Sequence, residues 1–124
     1  MAEQAAPELF VGTWKLAAIR LVRTDGTVTH PFGDAPLGYL TYTADGRMHA
    51  LFMHSDPAIT DRGTAYAATW EVRGGEVVHH VTAALVREWT GTDLVRSYAF
   101  VDGGMTLTAV EPDRTFELVW QRAG

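Results

Sequence analysis

The strongest constraint on this chain is a two-residue rhythm that runs through nearly all of it and is cut at short intervals by turn sequences. Apolar and polar residues alternate over Thr13 to Arg23, Gly38 to Thr43, Arg47 to His54, Thr64 to Arg73 and Glu76 to Leu85. The alternation resumes over Asp93 to Val101, Met105 to Val110 and Thr115 to Arg122, and Thr27 to His30 adds a short run. Side chains of a strand point to opposite faces in turn, so this rhythm predicts strands. Between them stand Asp25-Gly26, Ala44-Asp45-Gly46, Gly74-Gly75, Asp102-Gly103-Gly104 and Pro112-Asp113, which are hairpin turn sequences. No segment keeps a helical period; the best candidate is one turn near Pro7 to Val11. Consecutive hairpins make a meander, and a meander of about eight or nine strands removes its exposed edges by closing on itself. The expectation is an all-β chain: one closed, antiparallel, up-and-down barrel over residues 1–124, with a short N-terminal helical turn. A barrel of about eight strands is just wide enough to be packed solid or to hold one small molecule.

Composition narrows the function. The 124 residues make one domain, and 47% hydrophobic content is that of a globular core. With no cysteine, disulfides, thiolate metal sites and cysteine nucleophiles are excluded. A net charge of −5 without a basic run lacks the footprint of a nucleic-acid binder. Met1 to Leu9 carries Glu3 and Glu8 and no basic residue, unlike a secretory signal, and no apolar run approaches the ~20 residues of a membrane span. A cytoplasmic protein, free of membrane, is expected. Lys15 is the only lysine beside nine arginines, a bias typical of GC-rich bacterial coding.

The alternation also sorts side chains between interior and solvent. Trp14, Leu16, Ala18, Arg20 and Val22 share one face of the first strand, opposite Lys15. Tyr42 lies on the inward row of its strand. Met48, Ala50, Phe52 and His54 form another inward row; Tyr66, Ala68 and Trp70 form the next; Arg96, Tyr98 and Phe100 follow. Large rings opposite alanines either interdigitate or leave a cavity, and Ala18, Ala50 and Ala68 on separate rows favour a void. A filled core is the competing reading.

Five histidines invite a metal, yet none is expected. His79 and His80 are neighbours on a strand and point to opposite faces, His49 and His54 diverge, and His30 stands apart. His79 is assigned inward because Val77 and Val81 share its row. There it is either a core histidine with one nitrogen satisfied by a hydroxyl or carbonyl, or an acid–base group. Arg96, between Leu94 and Tyr98, is either a structural arginine or an anchor for a ligand carboxylate or enolate. No nucleophile elbow, phosphate loop or dinucleotide fingerprint is present, so any chemistry would use no cofactor.

Leu9-Phe10-Val11-Gly12-Thr13-Trp14 enters the first strand and Leu118-Val119-Trp120-Gln121-Arg122 ends the last. A Gly-x-Trp opening with a closing arginine resembles the calycin superfamily. That resemblance implies that Arg122 lies over Trp14 at the closed end of the barrel, with Gly12 and Trp120 part of the signature. Pro31-Phe32-Gly33, Gly38 to Met48, Val77 to Val81, Trp89 to Thr92, Arg96-Ser97-Tyr98 and Leu107-Thr108 are similar to the bacterial lipocalin-like domain family. The chain departs from that pattern in a shorter loop after His54 and in Arg87-Glu88, where proline and asparagine are usual. The resemblance implies a barrel with a pocket, in a family that includes proteins encoded beside secondary-metabolite pathways, and no particular reaction.

The leading expectation is therefore a carrier or sequestering protein for a small apolar or aromatic molecule. Its contacts would come from Ala18, Arg20, Tyr42, Met48, Ala50, Phe52, His54, Tyr66, Ala68, Trp70, Trp89 and Phe100. The alternative is a cofactor-independent cyclase or isomerase for a polyketide- or terpenoid-like intermediate, with His79, Arg96 and Tyr98 as catalytic residues. A third reading is a filled structural barrel. A homodimer is compatible with the sequence.

Overall fold

The computed structural model describes residues 4–59 and 63–123. Among these, nine strands form one antiparallel sheet: β1 (Gly12–Arg23), β2 (Val28–Thr29), β3 (Leu37–Tyr42), β4 (Arg47–Met53), β5 (Gly63–Arg73), β6 (Glu76–Ala84), β7 (Asp93–Val101), β8 (Gly104–Glu111) and β9 (Arg114–Arg122). From β3 to β9 each strand pairs with the next, and β9 returns to β1, closing an eight-strand barrel. The short β2 is extra. It pairs with Leu21 and Val22 on the edge of β1 whose first residues, Gly12 to Lys15, pair with β3. Single turns of 3-10 helix cover Pro7–Leu9 before β1 and Arg87–Trp89 between β6 and β7. The helical turn expected near Pro7 to Val11 is thus the first of these, and strand limits lie within one or two residues of the sequence reading.

Two bulges interrupt the rhythm. In β1, Leu16 pairs with Trp120 but Ala18 with Val119, so Ala17 is an extra residue. An inserted residue moves every later side chain to the opposite face. Trp14 and Leu16 point inward, and beyond the bulge Ile19 and Leu21 do. This corrects the uninterrupted reading of β1: Ala18, Arg20 and Val22 lie on the outer face. Arg20 there binds Glu117, its Nε 3.0 Å from the carboxylate. In β6, Thr82 is extra between the partners of Ala67 and Ala68, and its hydroxyl donates to the Ala67 carbonyl.

One end of the barrel is shut. The Arg122 guanidinium lies 4.0 Å from the centre of the Trp14 ring, as the Gly-x-Trp and terminal arginine imply. It also donates to the carbonyls of Val11 at 2.6 Å and Leu9 at 2.5 Å. The stack alone contributes about 0.5–2 kcal/mol. Gly12 makes it fit: its φ is +129°, and a Cβ there would sit 2.6 Å from Arg122 Nη1. The Trp14 indole donates to the Phe10 carbonyl at 2.9 Å. Phe10, fully buried, is the plug; its ring meets those of Tyr42, Trp70, Tyr98 and Phe100 at 5.0–5.7 Å.

Candidate functional site

The opposite end is hollow. A cavity of about 450 Å³ opens among β1, β4, β5 and β7 to β9, inside the range of ~300–1,000 Å³ in which small-molecule sites lie. Its walls are mainly Ile19, Phe52, Leu94, Ala109, Phe116 and Leu118, with Phe32 and Trp89 reaching in from loops. Phe32 meets Phe52 edge to face at 5.7 Å, and Trp89 meets Tyr66 in the same way at 5.6 Å. The inward rows deliver these side chains, and the bulge at Ala17 is what puts Ile19 in the wall.

The polar groups in the wall are few: Thr64, Tyr66, Arg96 and, at the rim, Glu111. Tyr66 heads a buried hydrogen-bonded chain. Its hydroxyl lies 2.8 Å from His79 Nδ1, and His79 Nε2 lies 2.7 Å from the Tyr42 hydroxyl. Burial, assisted by the positive charge of Arg96, holds the His79 pKa down to about 3, so the ring is neutral. Burial pushes the Tyr66 phenol up to about 12 and raises that of Tyr42 well above its usual value. Both tyrosines stay protonated. A neutral imidazole has one donor and one acceptor nitrogen, and the two hydroxyls complete both.

Arg96 is partly buried, on the inward row of β7. Burial lowers its pKa from the ordinary arginine range, though a guanidinium keeps its charge in a protein. Of its five N–H donors, one reaches the Val95 carbonyl at 3.1 Å. Among the described residues no carboxylate forms an ion pair with it. Glu111 is bound directly by Arg114 at 2.8 Å and favours the Arg96 charge only through space. The Thr64 hydroxyl, buried on the inward row of β5, has no hydrogen-bond partner among the described residues.

The sequence candidates divide sharply. Phe52, Tyr66, Trp89 and Arg96 lie in the cavity wall. Tyr42, Met48, Ala50 and Ala68 are buried in the packed layer below. Trp70 and Phe100 belong to the closed end around Phe10, the Trp70 indole donating to the Thr43 carbonyl. His54 lies on the loop after β4, its ring at 3.0 Å from where a Cβ of Gly33 would be. Ala18 and Arg20 are on the outer face. Of the proposed catalytic group, His79 stands behind Tyr66, outside the wall, and Tyr98 is elsewhere. The Tyr98 hydroxyl donates to the Gly74 carbonyl at 2.7 Å and accepts from the Ala5 amide at 2.8 Å, and its ring packs on Phe10. The trio His79, Arg96 and Tyr98 therefore does not converge: β7 is long enough to put Arg96 at the cavity and Tyr98 at the plug. The structure adds Phe32, Thr64 and Ala109 to the site, which the sequence reading does not reach. Thr64 shares the row of Tyr66 and is legible by alternation, whereas Phe32 sits in a Pro- and Gly-rich loop where alternation says nothing.

His80, on the outer face, lies 2.7 Å from Asp93 and 3.0 Å from Glu71, which raise its pKa. Among the described residues no group of three or more His, Cys, Asp or Glu is arranged to hold a metal ion. No helix of the described residues is long and apolar enough to cross a membrane.

Comparison with solved structures places this architecture. A lipocalin-like protein from Bacteroides uniformis superposes with a TM-score of 0.56 at 12% identity, covering 92% of this chain and 98% of its own. The fluorescent protein UnaG superposes with a TM-score of 0.51 at 17% identity, covering 95% of this chain and 100% of its own. At such identities the likeness is one of fold. No curated protein sequence matches the chain. The lipocalin-like domain family matches residues 11–123, from the Gly12–Trp14 opening to the closing Arg122, and the chain belongs to that family.

Proposed function

We propose that the protein is a carrier or sequestering protein that binds a small, mostly apolar, flat molecule in the cavity at the open end. The observation that carries this reading is the hollow itself. About 450 Å³ lined by aliphatic and aromatic side chains stands above a continuous cluster of buried hydrophobic residues. Burying a ring system against Ile19, Phe52, Trp89 and Leu118 supplies ~25 cal/mol for each Å² of apolar surface removed from water. A few polar wall groups then orient it.

A second reading, a cofactor-free cyclase or isomerase, draws on Arg96. A charged donor beside an apolar pocket stabilises a developing oxyanion, and a rigid wall holds a flexible substrate in one shape. His79 is a poor base here: neutral at any ordinary pH, with both nitrogens engaged, it reaches a guest only through Tyr66.

The test is tryptophan emission. Trp89 is the indole in the cavity wall, whereas Trp14, Trp70 and Trp120 lie outside it. A flat hydrophobic quencher should act saturably on the wild type and lose most of its effect in Trp89→Phe. Ala109→Phe, which fills the cavity, should abolish binding while circular dichroism stays native. Quenching that survives Ala109→Phe would place the site elsewhere.

A further inference from the structure

We propose that the cavity guest is an acid, an apolar ring body carrying one oxyanion (a carboxylate or ionised enol), held by the Arg96 guanidinium and the Tyr66 hydroxyl. This rests on the cavity reading and goes beyond it, because an apolar pocket alone asks for no charge.

Three features support it. Arg96 brings a charge to the wall that no carboxylate among the described residues meets in an ion pair, although Glu111 lies near enough to favour it, and one of its five donors is used. The wall's own carboxylate, Glu111, is engaged at the rim by Arg114. The Thr64 hydroxyl, 8% exposed as a residue and two positions from Tyr66 on the same inward row, has no partner among the described residues. A protein in which a guanidinium and a hydroxyl sit unmatched beside a hollow gains from a guest that brings acceptors to both.

The buried chain beneath decides what Tyr66 offers. The His79 ring donates from one nitrogen and accepts at the other, so the two tyrosines play opposite parts. If Tyr66 gave its proton to Nδ1, the Tyr42 hydroxyl would have to accept from Nε2. Its own hydrogen would then lie unpaired in the core, since His79 is its only hydrogen-bond partner among the described residues. A buried donor without a partner costs about 1–3 kcal/mol. In the other arrangement Tyr42 donates to Nε2, Nδ1–H donates to the Tyr66 oxygen, and the Tyr66 hydrogen faces the cavity. That arrangement leaves nothing unpaired once an acceptor enters. Tyr42 and His79 are thus positioning residues: they fix Tyr66 as a donor toward the guest.

Matched aromatic acids and their methyl esters, of two to four fused rings, test this directly. Each pair, with anthracene-2-carboxylic acid and its ester as the central one, is titrated against the full chain near pH 7 by energy transfer from Trp89. The acids should bind about 10–100-fold more tightly than their esters. Arg96→Met should weaken acid binding far more than ester binding and so remove most of that preference, and Arg96→Lys should restore part of it. Tyr66→Phe should weaken acid binding by about 5–30-fold. Tyr42→Phe, outside the cavity wall, should lower the acid-to-ester ratio. The nitrogen NMR signature of His79 should shift from a single Nδ1–H tautomer to a mixture in that variant. Esters that bind as tightly as acids overturn the inference and leave the cavity reading standing, as does an unchanged preference in Arg96→Met. A tautomer unaltered in Tyr42→Phe together with an unchanged ratio overturns the positioning role. If no acid or ester binds the folded wild type, the cavity reading fails, and the inference with it.

Discussion

The two ends of the barrel are built from the same strands by the same alternation, yet one is solid and the other hollow. At the closed end Phe10, delivered by the turn Pro7–Leu9, fills the axis, and the rings of Tyr42, Trp70, Tyr98 and Phe100 converge around it. At the open end the loops bring Phe32 and Trp89 only as far as the rim, while Ala109 leaves the axis unfilled. Polar groups follow the same division, except that the buried Trp120 indole nitrogen, outside the cavity wall, has no hydrogen-bond partner among the described residues. Tyr98, Trp70 and Arg122 are tied to backbone carbonyls, whereas Arg96 and Thr64 keep unused capacity. The chain Tyr42–His79–Tyr66 forms the floor between the two regimes. What separates the aromatic residues of the plug from those of the cavity is position along the strand axis, not residue type.

The largest expected effect tests that division by stability. Phe10→Ala should cost about 3–5 kcal/mol, the range for deleting a fully buried phenylalanine. Phe32→Ala, at the rim, should cost less than about 1.5 kcal/mol because its surroundings are already open to water. Urea unfolding at neutral pH measures both. Equal losses would mean that the loops stabilise the open end as firmly as the plug does the other.

The floor should show itself in acid, an effect that grows to a few kcal/mol. The His79 pKa is about 3 in the folded chain and its ordinary value is 6.5. Between those values the unfolded chain binds a proton that the folded chain refuses. Stability is therefore full above pH ~6.5 and falls as pH drops toward 3, by up to about 1.4 kcal/mol per unit. His80 runs the other way: its pKa is raised, so the stability its partners lend is present at low pH and lost as pH rises through the folded value. Histidine NMR titration should show one ring silent above pH ~4 and its neighbour titrating above the ordinary value. Replacing His79 by Phe should flatten the acid loss, and an unchanged slope in that variant would assign it to surface carboxylates such as Glu71, whose pKa is lowered by His80 and Arg73.

Alternation and turn chemistry carry most of the fold. Hairpins such as Ala44-Asp45-Gly46 and Gly74-Gly75 announce themselves, and the family resemblance carried by Gly12, Trp14 and Arg122 implies the closed end. The inward assignment of His79 over His80 follows from the apolar row of Val77 and Val81. What alternation cannot see is an inserted residue. Ala17 looks like any other alanine in a run of small and apolar residues, with no glycine or proline beside it to mark a break in the ladder. The bulge that it forms reverses Ala18 and Arg20. Nor does alternation give height along the barrel. Arg96 and Tyr98 share a face, but two residues of rise, about 6–7 Å, divide a cavity group from a structural one. Depth depends on the register of all the strands together, which no single segment encodes.

The smallest effect is the most discriminating, because three alanines on inward rows should respond differently to one substitution. Ala50 and Ala68 are buried in the packed layer, paired in the sheet with Leu40 and Tyr66, and with Met48 and Val81. Placing Phe at either forces neighbouring side chains off their rotamers, a cost of about 1–3 kcal/mol. Ala109 lies in the cavity wall opposite Phe116. A ring there enters space that holds no side chain and gains contacts without displacing any, so Ala109→Phe should change stability by less than about 1 kcal/mol. Thermal and urea unfolding of the three variants, read beside their ability to bind an aromatic acid, gives the comparison. Ala109→Phe should be the one that stays stable and binds nothing. Ala50→Phe and Ala68→Phe should lose stability and, where folded, still bind. Equal destabilisation at all three would mean that the open end packs as tightly as the closed one.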